Sequence, residues 1–403
     1  MWAETQVVTI GEKQGETPTE GEKQTQGNEH ASQEPVVESL RVLMVAGGTG
    51  GHIFPALAVA EELRVRSNRR GPGEAAYEIS FVGTGRGLEA RLIPVAGFPL
   101  RTVAAAGLKG IKGWKKIRNL LVLPRSAIET GVEIRRFQPS VVVGVGGYLA
   151  GPAMVEAAAL GIPTLLIEPN AVPGFTNRVL APVVSKAAVG FAETAALYGA
   201  KACVTGHAVR KAFFDVPPKA HVAPFTVLIL GGSQGSAAIN ECVVKSQLLF
   251  QGQPKQLRFI HQTGERDYNR IRQAYQERGL TAEVHAFIDD VPGAFARADL
   301  VISRAGANAV AELAAAGKAS LLIPFPGATD QHQMENARAL ERAGAARILP
   351  QADLTPERLL DEVRSLLDAP ERLREMENNA RRLAHPDAAA RIADLIEELA
   401  QKG

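Results

Sequence analysis

One histidine stands at the end of a glycine-rich run that a strand delivers and a helix takes away. Gly47-Gly48-Thr49-Gly50-Gly51-His52 follows the apolar stretch Val42-Leu43-Met44-Val45-Ala46. It precedes a segment in which Ile53, Leu57, Ala60 and Leu63 recur on one helical face. Pro55 suits a first helical turn. A glycine turn of this kind gathers unbonded backbone N–H groups at the positive end of a helix dipole, which favours anionic or oxygen-rich groups. The same field disfavours an imidazolium, so His52 is expected to be neutral near pH 7 and able to accept a proton. The other reading is that His52 orients a phosphate or caps the turn.

Further turns repeat the theme. Gly231-Gly232-Ser233-Gln234-Gly235 opens a second strand–turn–helix unit, in which the glycines admit a phosphate and the Ser233 hydroxyl adds a donor. Arg304-Ala305-Gly306-Ala307-Asn308-Ala309-Val310-Ala311-Glu312 follows the strand 301–303; its small residues leave a helix N-terminus open to a pyrophosphate. Glu312 is either an acid favoured by the helix dipole or a bidentate acceptor for two ribose hydroxyls. Asp330-Gln331-His332-Gln333 supplies amides and a histidine for sugar hydroxyls, or an N-cap on Asp330. Glu168-Pro169-Asn170 and Gly144-Val145-Gly146-Gly147-Tyr148 close two more strands. Neither a dinucleotide fingerprint nor a P-loop is present: the third glycine, the ribose acid and the Gly-Lys-Ser/Thr are all missing. Residues 102–128 carry Lys109, Lys112, Lys115, Lys116, Arg118 and Arg125 interleaved with Trp114 and bulky aliphatics, and no acid. This is either a core helix with a solvated basic face or a surface for an anionic membrane.

These residues need a scaffold, and the rest of the chain describes one. Its 403 residues are 46% hydrophobic and 22% charged with a formal net charge of +2, which suits two sizeable cores and excludes a nucleic-acid polycation. Cys203 and Cys242 match no metal spacing and read as ordinary thiols. Residues 1–39 are too polar to fold alone and are expected to be a disordered tail. No run of 18 apolar residues predicts a transmembrane helix. Strands at 41–46, 79–82, 140–145, 164–167, 187–189 and 202–204 alternate with helices at 53–67, 87–95, 115–137, 152–160 and 176–181. After a Pro-rich linker at 209–224 the rhythm restarts, with strands at 225–230, 257–262, 282–286, 300–303, 319–323 and 346–349. The fold class is therefore α/β, with two doubly wound parallel sheets, residues 40–208 and 225–386, facing across a cleft.

Taken in order, the motifs resemble the MurG-type glycosyltransferases of the bacterial cell wall (glycosyltransferase family 28). That family moves N-acetylglucosamine (GlcNAc) from UDP-GlcNAc to undecaprenyl-pyrophosphoryl-MurNAc-pentapeptide, lipid I, giving lipid II. The match runs from about residue 40 to 400. It rests on Gly47 to His52, Gly146-Gly147-Tyr148, Glu168-Pro169-Asn170, Gly206-His207-Ala208-Val209-Arg210, Gly231 to Gly235, Arg304 to Ala307 and His332-Gln333. The resemblance implies the GT-B fold, with a last helix at 387–401 crossing back to the first half. It assigns Thr49, Gly50, Gly51 and Asn170 to the transferred sugar, and Arg210 and Ser233 to the pyrophosphate. Ile288 goes to uracil, Ala307 to Val310 and Ala311 to the phosphate-binding helix end, Glu312 to the ribose, and His332 and Gln333 to GlcNAc hydroxyls. Gly146, Gly147, Tyr148, Trp114, Lys115 and Lys116 fall on the acceptor and membrane side. His52 is the candidate base of an inverting displacement.

Two departures stand out. Ile167 occupies a position where the family often has histidine, and Asn308 and Ala309 lie where many members carry a serine or threonine. No spaced Asp-x-Asp motif is present, and Asp289-Asp290 reads as a helix cap, so no metal cofactor is expected to be obligatory. The implied partners are UDP-GlcNAc, lipid I and an anionic membrane surface, with no nucleic acid, at the cytoplasmic face of the inner membrane. A UDP-GlcNAc 2-epimerase and a non-catalytic sugar-nucleotide binder are the alternatives.

Overall fold

The computed structural model describes residues 39–47, 50–71, 76–85, 87–103, 122–250, 257–328 and 331–402. Residues 1–38 of the tail expected at 1–39, Gly48, Thr49, Asp330 and residues 104–121 of the basic segment, with Trp114, Lys115 and Lys116, lie outside the described residues.

The first sheet takes β1 (Leu40–Val45), β2 (Tyr77–Gly83), β3 (Leu100–Thr102), β4 (Val141–Gly144), β5 (Thr164–Glu168), β6 (Lys186–Val189) and β7 (Ala202–Val204). Its order is β3-β2-β1-β4-β5-β6-β7, all parallel. Runs such as Val42 to Val45 and Val141 to Val143 are buried on both faces, which is why they read as continuous apolar stretches rather than alternating ones. Around the sheet lie α1 (Gly50–Arg69), α2 (Leu88–Val95), α3 (Val122–Phe137), α4 (Gly147–Ala159), α5 (Phe175–Leu180) and α6 (Ala195–Tyr198).

The second sheet has the order β10-β9-β8-β11-β12-β13. Its strands are β8 (Phe225–Leu230), β9 (Leu257–Gln262), β10 (Ala282–His285), β11 (Leu300–Ser303), β12 (Ser320–Leu322) and β13 (Ala346–Ile348). Its helices are α7 (Ala237–Phe250), α8 (Tyr268–Glu277), α9 (Val291–Arg297), α10 (Ala307–Ala316), α11 (His332–Arg342), α12 (Pro356–Leu367) and α13 (Pro370–Arg382).

The last helix, α14 (Ala388–Ala400), leaves the second half and lies on α1. Ile392, Ile396 and Leu399 join Val42, Met44, Ile53 and Leu63 in one buried cluster. Burying each large aliphatic is worth about 1.5–3 kcal/mol. The ion pairs Arg66–Asp394 at 2.7 Å and Arg66–Glu397 at 3.2 Å are partly exposed. Pairs of that kind add about 0–1 kcal/mol each, so apolar packing is what fixes this helix. The Pro-rich stretch before β8 is also packed: Phe213 is fully buried, its ring 5.5 Å from Phe295.

Two helices begin earlier than the sequence suggests. α1 starts at Gly50, not at Ile53, so Gly50, Gly51 and His52 form its first turn and Pro55 lies inside it. α4 starts at Gly147 and runs through Pro152, because Leu149, Ala150, Ala153 and Met154 pack one face into the core. Tertiary burial outweighs the weak helix propensity of glycine and the missing proline N–H in both places.

Candidate functional site

In each sheet the strand order reverses at one point, β1/β4 in the first and β8/β11 in the second. The turns leaving those points form the crevice where open α/β sheets bind ligands.

At the first switch point His52 is the third residue of α1. Its Nδ1 lies 3.2 Å from the carbonyl oxygen of Gly47. A carbonyl only accepts, so Nδ1 carries the proton and Nε2 holds the lone pair. The β4 turn comes up against the same ring. Gly146 and Gly147 have φ of 101° and 80°. A Cβ on Gly146 would lie 3.4 Å from Nε2, and one on Gly147 3.3 Å from Nδ1. Burial lowers the His52 pKa; the Gly47 hydrogen bond opposes this, and the positive field of His332 adds to it. The ring is thus held neutral, with its basic nitrogen beside the β4 turn. Tyr148, next in α4, has its phenol pushed up by burial and by the charge of Glu89.

Asn170 sits in a loop organised by Glu168. That fully buried carboxylate accepts from Asn170 N at 2.9 Å, Asn170 Nδ2 at 3.1 Å, Gly174 N at 3.1 Å and Asn177 Nδ2 at 2.8 Å. Burial raises the pKa of Glu168, and these donors act against it.

At the second switch point the turn Gly231 to Gly235 packs so tightly on the β9 turn that a Cβ on Gly235 would overlap the Thr263 carbonyl at 1.8 Å. Ser233 is exposed at its apex and buried Gln262 holds its base, donating to Gly232 O at 2.8 Å and accepting from Ile288 N at 3.1 Å. The Ile288 side chain, 8% exposed, belongs to the core. Arg304 spans the switch point, donating to Ser236 Oγ and Gln351 Oε1 at 2.7 Å each and to Ile323 O at 3.0 Å. Burial lowers its pKa to about 10.

Gly306 precedes α10, and among the described residues no side chain caps that end. The backbone N–H groups of Ala307, Asn308 and Ala309 therefore stand at the positive end of the helix, with Val310 N the first to bond back, to Gly306 O. One turn on, past Ala311, Glu312 faces Val209 and Arg210 of the linker. Burial raises Glu312 to about 7, with Arg210 pulling the other way. The Arg210 guanidinium lies between the rings of Phe54 at 5.0 Å and Phe213 at 5.1 Å. Phe54, His207, Arg210, Asn308 and Glu312 line one crevice. His332 opens α11, and Gln333 Oε1 accepts from Phe325 N at 2.9 Å, bracing the loop after β12.

Side chains join the halves across the cleft. Asn308 Nδ2 donates to Gly50 O at 2.6 Å while its Oδ1 accepts from His207 Nε2 at 2.7 Å. Asn336 on α11, fully buried, accepts from Ala171 N at 3.0 Å and donates to Ala305 O at 3.2 Å and Asn170 Oδ1 at 3.4 Å. Arg91 on α2 reaches Asp289 at 3.5 Å. The neighbouring Asp290 caps α9 through Gly293 N.

Most of the expected set lies among the described residues, and much of it falls into two clusters. His52, Gly50, Gly51, Gly146, Gly147, Tyr148 and His332 gather at the first switch point. Arg210 of the linker gathers with Asn308 and Glu312 of α10. Ser233 and Ile288 belong to the neighbouring turn of the second sheet. Glu168, Gln262 and Asn336 are hubs that sequence reasoning missed. Gln262 and Asn336 are ordinary polar residues at a strand end and on a helix, with no local pattern that marks them, and Glu168 stands in a quoted motif that gave it no role.

The model of the glycosyltransferase family 28 N-terminal domain matches residues 42–189, and that of the C-terminal domain residues 226–392. The chain belongs to glycosyltransferase family 28. A relative from Solibacter usitatus, named UDP-N-acetylglucosamine--N-acetylmuramyl-(pentapeptide) pyrophosphoryl-undecaprenol N-acetylglucosamine transferase, is 46% identical over 360 residues, 89% of this chain and 96% of its own length. Its namesake from Myxococcus xanthus is 44% identical over 363 residues, 89% of this chain and 93% of its own. The crystal structure of Acinetobacter baumannii MurG matches with a TM-score of 0.69 at 33% identity, covering 89% of this chain and 99% of that one. The fold is GT-B, two Rossmann-like domains. Family membership favours glycosyl transfer over the epimerase and binder alternatives. Ile167, one of the two departures noted in the sequence, is 3% exposed and packs in the core of the first half.

Proposed function

We propose that this chain moves GlcNAc from UDP-GlcNAc to the 4-hydroxyl of MurNAc in lipid I, forming lipid II for peptidoglycan synthesis. The observation that carries the chemistry is the Nδ1-protonated His52, whose Nε2 lone pair stands at the β1/β4 switch point. The transferases named above lend the substrates. In a single displacement the hydroxyl oxygen attacks the anomeric carbon and its proton passes to His52 Nε2. The bond to the UDP oxygen breaks, with inversion. A positioned general base contributes roughly 10²–10⁴-fold. The departing diphosphate is met by the backbone N–H groups of α10 and by Arg210 and Ser233; Glu312 takes the ribose, and Gln333, His332 and Asn170 the sugar. This reading needs no obligatory metal.

Membrane docking belongs to the same proposal. Among the described residues no helix is long and apolar enough to cross a membrane. Ile128 and Val132 on α3, Val155 on α4 and Phe175 and Val179 on α5 are exposed. Ile128 ends the basic, Trp-containing segment and the others follow it in sequence; together they support a peripheral contact with an anionic lipid surface at the cytoplasmic face of the inner membrane.

Incubation with UDP-GlcNAc and a short-chain lipid I analogue, with and without EDTA, tests the proposal. Free UDP plus the disaccharide lipid in both arms supports it. UDP-ManNAc instead would favour the epimerase, and no product a binder.

A further inference from the structure

Glu89 opens α2 and is fully buried, directly beneath the turn that carries His52. The Thr84 hydroxyl donates to its Oε1. Three glycines are shaped around this side chain. A Cβ on Gly47 would meet Glu89 Oε1 at 3.4 Å, one on Gly83 would meet Cγ at 3.2 Å, and one on Gly87 would meet Oε2 at 2.9 Å. Gly47 is also the residue whose carbonyl fixes the His52 tautomer. The carboxylate is therefore wedged against the element that aims the base.

Its charge matters at a second stage. A base that takes a proton in a buried site becomes an imidazolium that burial penalises. The charged groups that act on His52 are Glu89 from α2 and His332 from α11, and Glu89 also acts on Tyr148 of α4. Glu89 raises the His52 pKa, His332 lowers it, and Tyr148, its own phenol held up by Glu89, stays neutral. No catalytic role had been assigned to Glu89 from the sequence.

We propose that Glu89 is a positioning residue for the transfer reaction: it props the Gly47 turn that sets the His52 tautomer, and it supplies the negative charge that offsets the imidazolium formed as the acceptor hydroxyl loses its proton. This rests on His52 being the base.

The test compares Glu89→Gln, Glu89→Asp, His52→Ala and the double variant E89Q/H52A in the purified full chain, with UDP-GlcNAc and the lipid I analogue. E89Q is expected to lower kcat about 10–100-fold with KM for UDP-GlcNAc within about threefold. The acid limb of its kcat–pH profile should move to lower pH, because the charge that raises the His52 pKa is gone. E89D keeps the charge and should keep the limb where it is. The double variant should be no slower than H52A, since both act through one ring. An E89Q enzyme with wild-type kcat, or a slow one with an unmoved acid limb, overturns the proposal. Should E89Q not fold, Thr84→Val decides: it should lower kcat severalfold at unchanged donor KM, and unchanged kcat overturns the proposal. H52A separates the two ideas. If H52A turns over near-normally, the base assignment itself fails; if H52A is inactive and the E89Q limb is unmoved, Glu89 alone is wrong.

Discussion

Asn308 reaches across the cleft and donates its amide to the carbonyl of Gly50, 258 residues away in sequence, at 2.6 Å. The sequence offers Asn308 as a stand-in for the hydroxyl that many family members carry near this position. The structure gives it different work: a side chain at the N-terminus of the second half's α10 closes on the first turn of α1, steadied by His207.

Asn308→Ala should therefore loosen the closed cleft without removing a proposed donor contact. A net hydrogen bond is worth about 0.5–1.5 kcal/mol, so kcat/KM should fall roughly 3–10-fold. UDP affinity should hold within about twofold, and Asn308→Ser should not rescue the loss. Steady-state kinetics and UDP titration of both variants check this.

Glu312 gives a pH signature. Its carboxyl is raised to about 7 in the free protein. Ribose hydroxyls donate to the carboxylate form, so UDP binding selects the deprotonated acid. Affinity should rise as pH goes from 6 to 8 and level off above. Glu312→Gln should flatten that rise and weaken UDP binding by roughly 10–100-fold, the worth of hydrogen bonds to a charged group. Calorimetric titration across this pH range checks both.

How much of this was legible beforehand varies with distance along the chain. The two parallel sheets and the placement of His52 follow from local signals: buried apolar runs, each ending in glycine, then a helical repeat. The three-residue strand β3, Leu100-Arg101-Thr102, was too short to show. Partner choices were not legible at all. Asn336 meets Ala171 across 165 residues, and a buried amide looks the same in sequence whichever carbonyl it finds. Glu168 read only as the end of a strand, and Glu89 drew no reading at all, because the burial of each carboxylate is a tertiary property. Asn308 shows the same limit: its residue type was noticed, but its direction was not.

A cluster remote from the cleft should govern stability. His221, fully buried, lies 3.0 Å from Asp299 and 3.4 Å from Glu377. The Asp299 hydrogen bond, then that of Glu377, raises its pKa from 6.5 to about 9. A raised folded pKa stabilises fully below the unfolded value and loses that contribution as pH climbs through the folded one. The melting temperature should therefore fall between about pH 6.5 and 9. Breaking a buried ion pair costs about 3–5 kcal/mol, so His221→Gln should be strongly destabilised at pH 6 and show a flatter alkaline fall. Thermal melts at several pH values check this.

The most direct test is turnover by His52→Ala with UDP-GlcNAc and a short-chain lipid I analogue, alongside UDP binding by the same variant. If Nε2 is the base, turnover falls by roughly 100-fold or more while UDP affinity survives. Near-normal turnover in H52A would remove His52 from the chemistry.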